Sequence, residues 1–187
     1  NGQLVSKREA ATLAIHLEQD VLKDNVGCQD QIAAAYGGFN LIRFERGSYF
    51  SVEAIPLPTE RQEALQSHLM LFFTGGIRMS SEVAADVVNN LVSKRDRLRR
   101  MRALVDEALA ILASTRSLDE IGHLLHETWQ LKRGLGNSVS NAFIDDIYEC
   151  ARSHGALGGK LLGAGGAGFM ALYVPPERQA EVRSALH

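Results

Sequence analysis

Gly158-Gly159-Lys160-Leu161-Leu162-Gly163-Ala164-Gly165-Gly166-Ala167-Gly168-Phe169-Met170 is the stretch on which the fold turns. A short strand enters it, a second strand, Phe169 to Val174, leaves it, and side chains are almost absent between them. Glycines at this density admit positive φ and let the backbone approach a neighbour or ligand closely. The chain has 17 glycines against four prolines. Their late clustering, at Gly155 to Gly168, assigns them to a site or tight turn and not to a flexible linker. Pro175-Pro176 then opens a closing helix to His187.

Working back from this loop, Ala142 to His154 reads as a helix with Phe143, Ile144, Ile147, Tyr148 and Ala151 inward and Gly155 as its left-handed stop. Ser117-Leu118-Asp119-Glu120 reads as a capping box for a helix to about Arg133, with Ile121, Leu124, Leu125 and Trp129 inward. Between the two lies Gly134-Leu135-Gly136-Asn137-Ser138-Val139-Ser140. It looks like a phosphate-cradling loop but lacks the Gly-Lys-Ser/Thr ending of a Walker loop, so it is taken as a helix-breaking connection. Glu82 to Ala113 is strongly helical, as one helix or two, with Val83, Val87, Val88, Leu91, Val105, Leu109 and Leu112 as core positions. The run Lys94 to Arg102 holds six Lys or Arg and one Asp. No aromatics are interleaved and the rest of the chain is not basic, so it reads as a solvated helix face and not as a nucleic-acid patch.

His68-Leu69-Met70-Leu71-Phe72-Phe73 is almost wholly apolar and predicts a central strand buried on both faces. It runs into a loop where Arg78, Ser80 and Ser81 either hold an anionic group or form a helix cap with one solvated Arg. Thr59-Glu60-Arg61-Gln62 predicts another capping box, and Pro56-Leu57-Pro58 the boundary between two domains, 1–58 and 59–187. Upstream, Phe39 to Phe44 and Tyr49 to Ile55 read as a hairpin around Arg46-Gly47-Ser48. Short strands alternating with longer helices describe an α+β fold.

The first domain carries two acidic candidates. Ser6-Lys7-Arg8-Glu9 caps a helix in which Leu13, Leu17 and Val21 form one stripe, and Ile15, Glu18 and Leu22 an adjoining one. Glu18 among apolar neighbours needs a cation or metal partner, unless it sits at the helix edge and reaches solvent. In Asn25-Val26-Gly27-Cys28-Gln29-Asp30-Gln31, a glycine turn runs into a helix start. Asp30 is either a helix-start residue or an ionised acid placed to accept a proton from a substrate hydroxyl.

The chain of 187 residues is 45% hydrophobic and 22% charged, as expected for a soluble globular protein. A net charge of −2 gives no global field toward nucleic acid or anionic membrane. No apolar run approaches the ~20 residues of a membrane span. The N-terminus is polar and then helical at once, which argues against a signal peptide. Cys28 and Cys150 make no disulfide framework, so a reducing cytoplasm is expected.

Gly159 to Phe169 resembles the C-terminal glycine motif of the GHMP kinases, named for galacto-, homoserine, mevalonate and phosphomevalonate kinases. Glu18 to Asp20 and Val26 to Gln31, followed by Tyr36-Gly37-Gly38, resemble that family's catalytic-aspartate region. Within the family the resemblance is greatest to the heptose 7-phosphate kinases. It is carried by His16 to Asn40, Phe73 to Ser81, Trp129 to Arg133 and Gly155 to Pro176. The resemblance implies the end of an N-terminal α+β domain followed by a C-terminal ferredoxin-like α+β domain. It implies transfer of the ATP γ-phosphoryl group to a sugar-phosphate hydroxyl, with another sugar kinase of the family, fucokinase- or galactokinase-like, or a non-catalytic binding module as the alternatives. Asp30 would orient or deprotonate that hydroxyl and Glu18 would help hold Mg²⁺. Gly163, Ala164, Gly165 and Gly166 would line the nucleotide site, and Arg78 and Lys160 would face substrate phosphate. The family's ATP-phosphate loop is expected upstream of Asn1, in the same polypeptide, so the chain by itself is expected to be inactive. A homodimer is compatible with the resemblance. Ala167 stands where the family usually has glycine, which implies a shifted turn or a limit on ligand approach.

Overall fold

The computed structural model describes residues 5–45, 49–76 and 80–187, with the side chains of residues 80–82 left aside. The chain divides into two compact units, Asn1–Pro56 and Leu57–His187.

The first unit opens with α1 (Lys7–His16), capped as its sequence predicts. Glu9 N–H donates to Ser6 Oγ at 3.2 Å and Ser6 N–H to the Glu9 carboxylate at 2.9 Å. A π-helical turn (Leu17–Val21) continues it, then come α2 (Gln29–Tyr36), β1 (Asn40–Phe44) and β2 (Phe50–Ala54). The two strands pair antiparallel, Asn40 opposite Ala54 and Phe44 opposite Phe50. The predicted Arg46-Gly47-Ser48 turn lies outside the described residues. Ala11, Ile32 and Phe50 form the core, with Ile15, Tyr36, Ile42 and Val52 against it. The predicted stripe fails here: Leu13, Leu17, Val21 and Leu22 are all at least half exposed. The buried side of α1 runs through the small Ala11, which helical spacing of large apolar residues does not mark. The π turn then widens the helix and shifts Leu17 to Leu22 out of phase with α1.

The second unit is built on a three-stranded antiparallel sheet of β3 (Leu69–Phe73), β4 (Gly158–Leu161) and β5 (Phe169–Tyr173), in the order β3-β5-β4. Its helices are α3 (Thr59–Ser67), α4 (Ser80–Asn90), α5 (Arg95–Leu112), α6 (Asp119–Arg133), α7 (Ala142–Ser153) and α8 (Gln179–Ala185). Met70, Met170, Leu172 and Leu161 on one sheet face meet Val83 of α4, Trp129 of α6, Ile144, Tyr148 and Ala151 of α7, and Val182 of α8. This is the main core. Where β4 meets α6, a Cβ on Gly158 would lie 1.9 Å from the Gly122 carbonyl oxygen. Only a pair of glycines allows strand and helix this close.

Several sequence expectations are corrected. β3 is an edge strand and not the central one, and it is buried on one face only: Met70 is buried, whereas Leu71 and Phe73 are more than 60% exposed. An unbroken apolar run carries no period-two signal, so the sequence could not tell one covered face from two. Val88, Leu91 and Val105, read as core, are exposed, and so is Phe143. The Glu82–Ala113 stretch is two helices, and the break at residues 91–94 resets the helical phase. The Thr59 capping box does not form, because Pro58 takes the N-cap position of α3. Ser117 Oγ accepts Asp119 N–H at 3.2 Å instead of capping with Glu120, whose carboxylate pairs with Arg116.

Asp86 of α4 connects the helices to the connection before α7. Its carboxylate accepts Ser138 N–H at 3.0 Å, Ser138 Oγ–H at 2.7 Å and the Asn90 amide at 3.2 Å. The Ser138 bonds hold its pKa below the ordinary 3.8. Because the folded value is depressed, the stabilisation is present above the unfolded value. It is lost as pH falls through the lower folded one. Asp86→Asn is expected to flatten the acid limb of the Tm profile below about pH 4. A wild-type acid limb in the variant would remove this linkage.

Candidate functional site

The first unit places Asp30 in the first turn of α2, exposed, where the helix dipole favours a carboxylate. Among the described residues its carboxylate accepts one hydrogen bond, from the Gln29 amide at 3.4 Å. Glu18 lies on the π turn, half-buried. Gln31, one residue after Asp30, donates its amide to Glu18 Oε2 at 2.5 Å. The π turn and the start of α2 are therefore fastened to each other through a buried glutamine. Gln31 Oε1 is buried without a hydrogen-bond partner among the described residues. Gln19 supports the same turn by donating to Val26 O at 2.8 Å. The structure brings Glu18 to the turn that carries Asp30, a link that the one-dimensional spacing did not reveal.

The second unit holds Lys160 on β4 and Gly163 to Gly166 in the β4–β5 loop. The loop is tied down at several of its carbonyls. Lys132 Nζ donates to Leu161 O at 3.1 Å and to Gly163 O at 2.7 Å. The Asn141 amide donates to Gly166 O at 3.0 Å. Thr74 donates both N–H and Oγ–H to Gly168 O, each at 2.8 Å. Gly166 N–H donates to Val139 O at 3.0 Å. Gly165, at φ +124°, lies so close to this segment that a Cβ would sit 2.5 Å from Val139 O. These carbonyls are thus consumed. The N–H groups of Gly163, Ala164 and Gly165 make no hydrogen bond among the described residues. Successive unbonded N–H groups in a turn form a concavity suited to an anion.

Ala167 fits this loop without strain. Among the described residues Lys23 is the one non-glycine with positive φ, so Ala167 needs no left-handed backbone. Its methyl lies beside Gly76, where an added Cβ would be 3.4 Å away. The expected shift of the turn is not required.

Arg78 lies outside the described residues, and the Ser80 and Ser81 side chains are likewise not described. Sequence patterns did not single out Lys132, Val139, Asn141 or Thr74 as site residues. Asn141 carried a signal: it is the N-cap of α7, accepting Ile144 N–H at 3.1 Å, and its amide nitrogen is thereby aimed at the loop. Lys132 carried its place in the last turn of α6 and its membership of the Trp129 to Arg133 stretch of the family resemblance.

The family profile described as GHMP kinases C terminal matches residues 101–187. Residues 101–187 are thus a GHMP kinase C-terminal domain. A D-glycero-alpha-D-manno-heptose 7-phosphate kinase of Campylobacter jejuni is 29% identical over 180 residues, which are 95% of this chain and 53% of the relative. A bifunctional fucokinase/GDP-fucose pyrophosphorylase of Arabidopsis thaliana is 31% identical over 191 residues, covering 97% of this chain and 18% of the relative. The crystal structure of a D-glycero-D-manno-heptose 1-phosphate kinase from Bacteroides thetaiotaomicron superposes with a TM-score of 0.69. It is 26% identical, and the match covers 98% of this chain and 50% of that one. The chain spans about half the length of the two heptose-phosphate kinases. The GHMP C-terminal domain accounts for the α+β architecture and for the glycine loop between β4 and β5.

Proposed function

We propose that the protein carrying this GHMP domain transfers the γ-phosphoryl group of ATP to a sugar-phosphate hydroxyl, with D-glycero-D-manno-heptose 7-phosphate as substrate and the 1,7-bisphosphate as product, in the cytoplasm. The observation that carries this reading is the braced glycine loop with its unbonded N–H groups, in a chain similar over 95% of its length to a heptose 7-phosphate kinase. Phosphoryl transfer leaves little covalent work to the protein, and positioning and charge stabilisation dominate. Asp30 orients or deprotonates the acceptor hydroxyl. The glycine loop receives ATP phosphate on its N–H groups. Lys160 and Arg78 face the phosphate of the sugar, Arg78 on the strength of its sequence alone.

Glu18 fits a magnesium ligand. It is a half-buried carboxylate beside the orphaned Gln31 Oε1. No cluster of three or more His, Cys, Asp or Glu among the described residues could hold a metal by itself. Mg²⁺ is commonly held by one or two carboxylates with phosphate oxygens and water, so a single acid suffices. The ion would neutralise charge developing on the phosphates. Glu18→Gln is expected to raise the magnesium requirement while leaving sugar affinity nearly unchanged. An unchanged magnesium titration returns Glu18 to a structural tie with Gln31.

The substrate reading is tested with the intact protein on heptose 7-phosphate, free heptose, galactose and fucose side by side. The phosphorylated sugar is expected to win on kcat/KM, because charge-assisted hydrogen bonds are roughly twice as strong as neutral ones. A second reading, an unphosphorylated sugar such as fucose, has its own support in the 31% identity to the Arabidopsis fucokinase. A higher kcat/KM for fucose would replace the first reading by the second.

A further inference from the structure

We propose that Lys132 is a positioning residue that sets the glycine loop for phosphate. This rests on the reading of that loop as the ATP-phosphate contact. Lys132 leaves the last turn of α6, and its ammonium group reaches the carbonyls of Leu161 and Gly163 at 3.1 and 2.7 Å, where β4 ends and the loop begins. A loop this rich in glycine has no side chains of its own with which to choose a conformation, and each peptide can turn either its carbonyl or its N–H outward. Binding the carbonyls of Leu161 and Gly163 removes that choice at the loop's first turn. A carbonyl rotated toward a phosphate would repel it, and turning the Gly163 carbonyl away directs the N–H of the same peptide, that of Ala164, outward where an anion can reach it.

Lys132 does not act in isolation. The connection after it, Gly134 to Ser140, is the stretch that mimics a phosphate loop in sequence. In the structure it is the bed on which the glycine loop lies. Val139 O receives Gly166 N–H and closes over Gly165, Asn141 takes Gly166 O, and Asp86 fixes Ser138 from behind. These contacts secure the second half of the loop. Lys132 secures the first half and adds a positive charge beneath it. Met at this position would keep the aliphatic stem and lose both bonds and the charge. Arg would keep charge and donors.

The test compares Lys132→Met, Lys132→Gln and Lys132→Arg with the wild type in the intact protein. Amide hydrogen exchange of Leu162 and Gly166, the loop N–H groups that donate to Phe169 O and Val139 O, is expected to rise about tenfold or more in the Met and Gln variants, with α7 and β5 unchanged. Arg is expected to restore protection to within about threefold. In steady-state kinetics the Met variant raises KM for ATP about tenfold, with KM for the sugar little changed. Unchanged loop exchange in both Met and Gln variants overturns the brace. Raised exchange with an unchanged KM for ATP overturns the positioning role. If the wild-type protein turns over no ATP, it is the kinase reading that fails, and the exchange measurement still decides the brace. The Gln variant, with a short polar side chain, serves where Met prevents folding.

Discussion

Asp30→Asn in the intact protein is expected to lower kcat by roughly 10²–10⁴-fold, the usual contribution of a positioned general base. The substitution keeps the shape of the side chain and removes its charge and its ability to take a proton. The fold should hardly register it. Asp30 is exposed, its one hydrogen bond among the described residues is from the neighbouring Gln29 side chain, and the contact that fastens this turn to the π turn belongs to Gln31. The melting temperature is therefore expected to change little while turnover collapses. Separating the two readouts matters, because Gln31→Ala would disturb Glu18 and the turn together and confuse structure with chemistry. Turnover of Asp30→Asn within threefold of wild type on the preferred sugar phosphate would leave Asp30 a helix-start residue and no more.

Trp129→Ala destabilises the second unit by about 3–5 kcal/mol, the range for emptying a buried aromatic site. Trp129 is fully buried, with its ring 6.1 Å from that of Tyr148, in the cluster that joins the sheet to α4, α6, α7 and α8. α6 also presents Lys132 to the glycine loop, so loosening this helix reaches the site. The indole N–H has no acceptor among the described residues. Trp129→Phe therefore forfeits volume but no hydrogen bond, and is expected to cost about 1–2 kcal/mol. Urea unfolding of both variants provides the check. A cost below about 1 kcal/mol for the Ala variant would mean that the site collapses around the gap and that Trp129 does not anchor the core.

The same cluster explains two titration shifts. Burial pushes the Tyr148 hydroxyl up to about 12. Burial, reinforced by the positive charge of Arg152, holds His126 below its ordinary range. The two are joined by a hydrogen bond of 2.8 Å between His126 Nδ1 and the Tyr148 hydroxyl. Both groups stay neutral at neutral pH and take no part in the proposed chemistry.

What the sequence determined by itself is local and periodic. The Ser6–Glu9 cap was legible because both partners lie within four residues. The hairpin strands and the two strands flanking the glycine loop could be read from short apolar runs bounded by turn residues. Ile144, Tyr148 and Ala151 of α7 announced their buried face, because a helix of 12 residues repeats its pattern often enough to be read. Asp30 at a helix start and glycines at Gly163 to Gly168 were visible for the same reason: each is a property of a few consecutive residues. The tertiary structure alone decided which apolar residues meet a partner. β3 is as apolar as a central strand, yet the helices cover one of its faces and β5 takes the centre of the sheet. It also decided what holds the loop. Lys132, Val139, Asn141 and Thr74 lie 25 to 94 residues from the carbonyls and N–H groups they bind. A hydrogen bond across such separations depends on where the chain returns in space, and no pattern of neighbouring residues encodes that return.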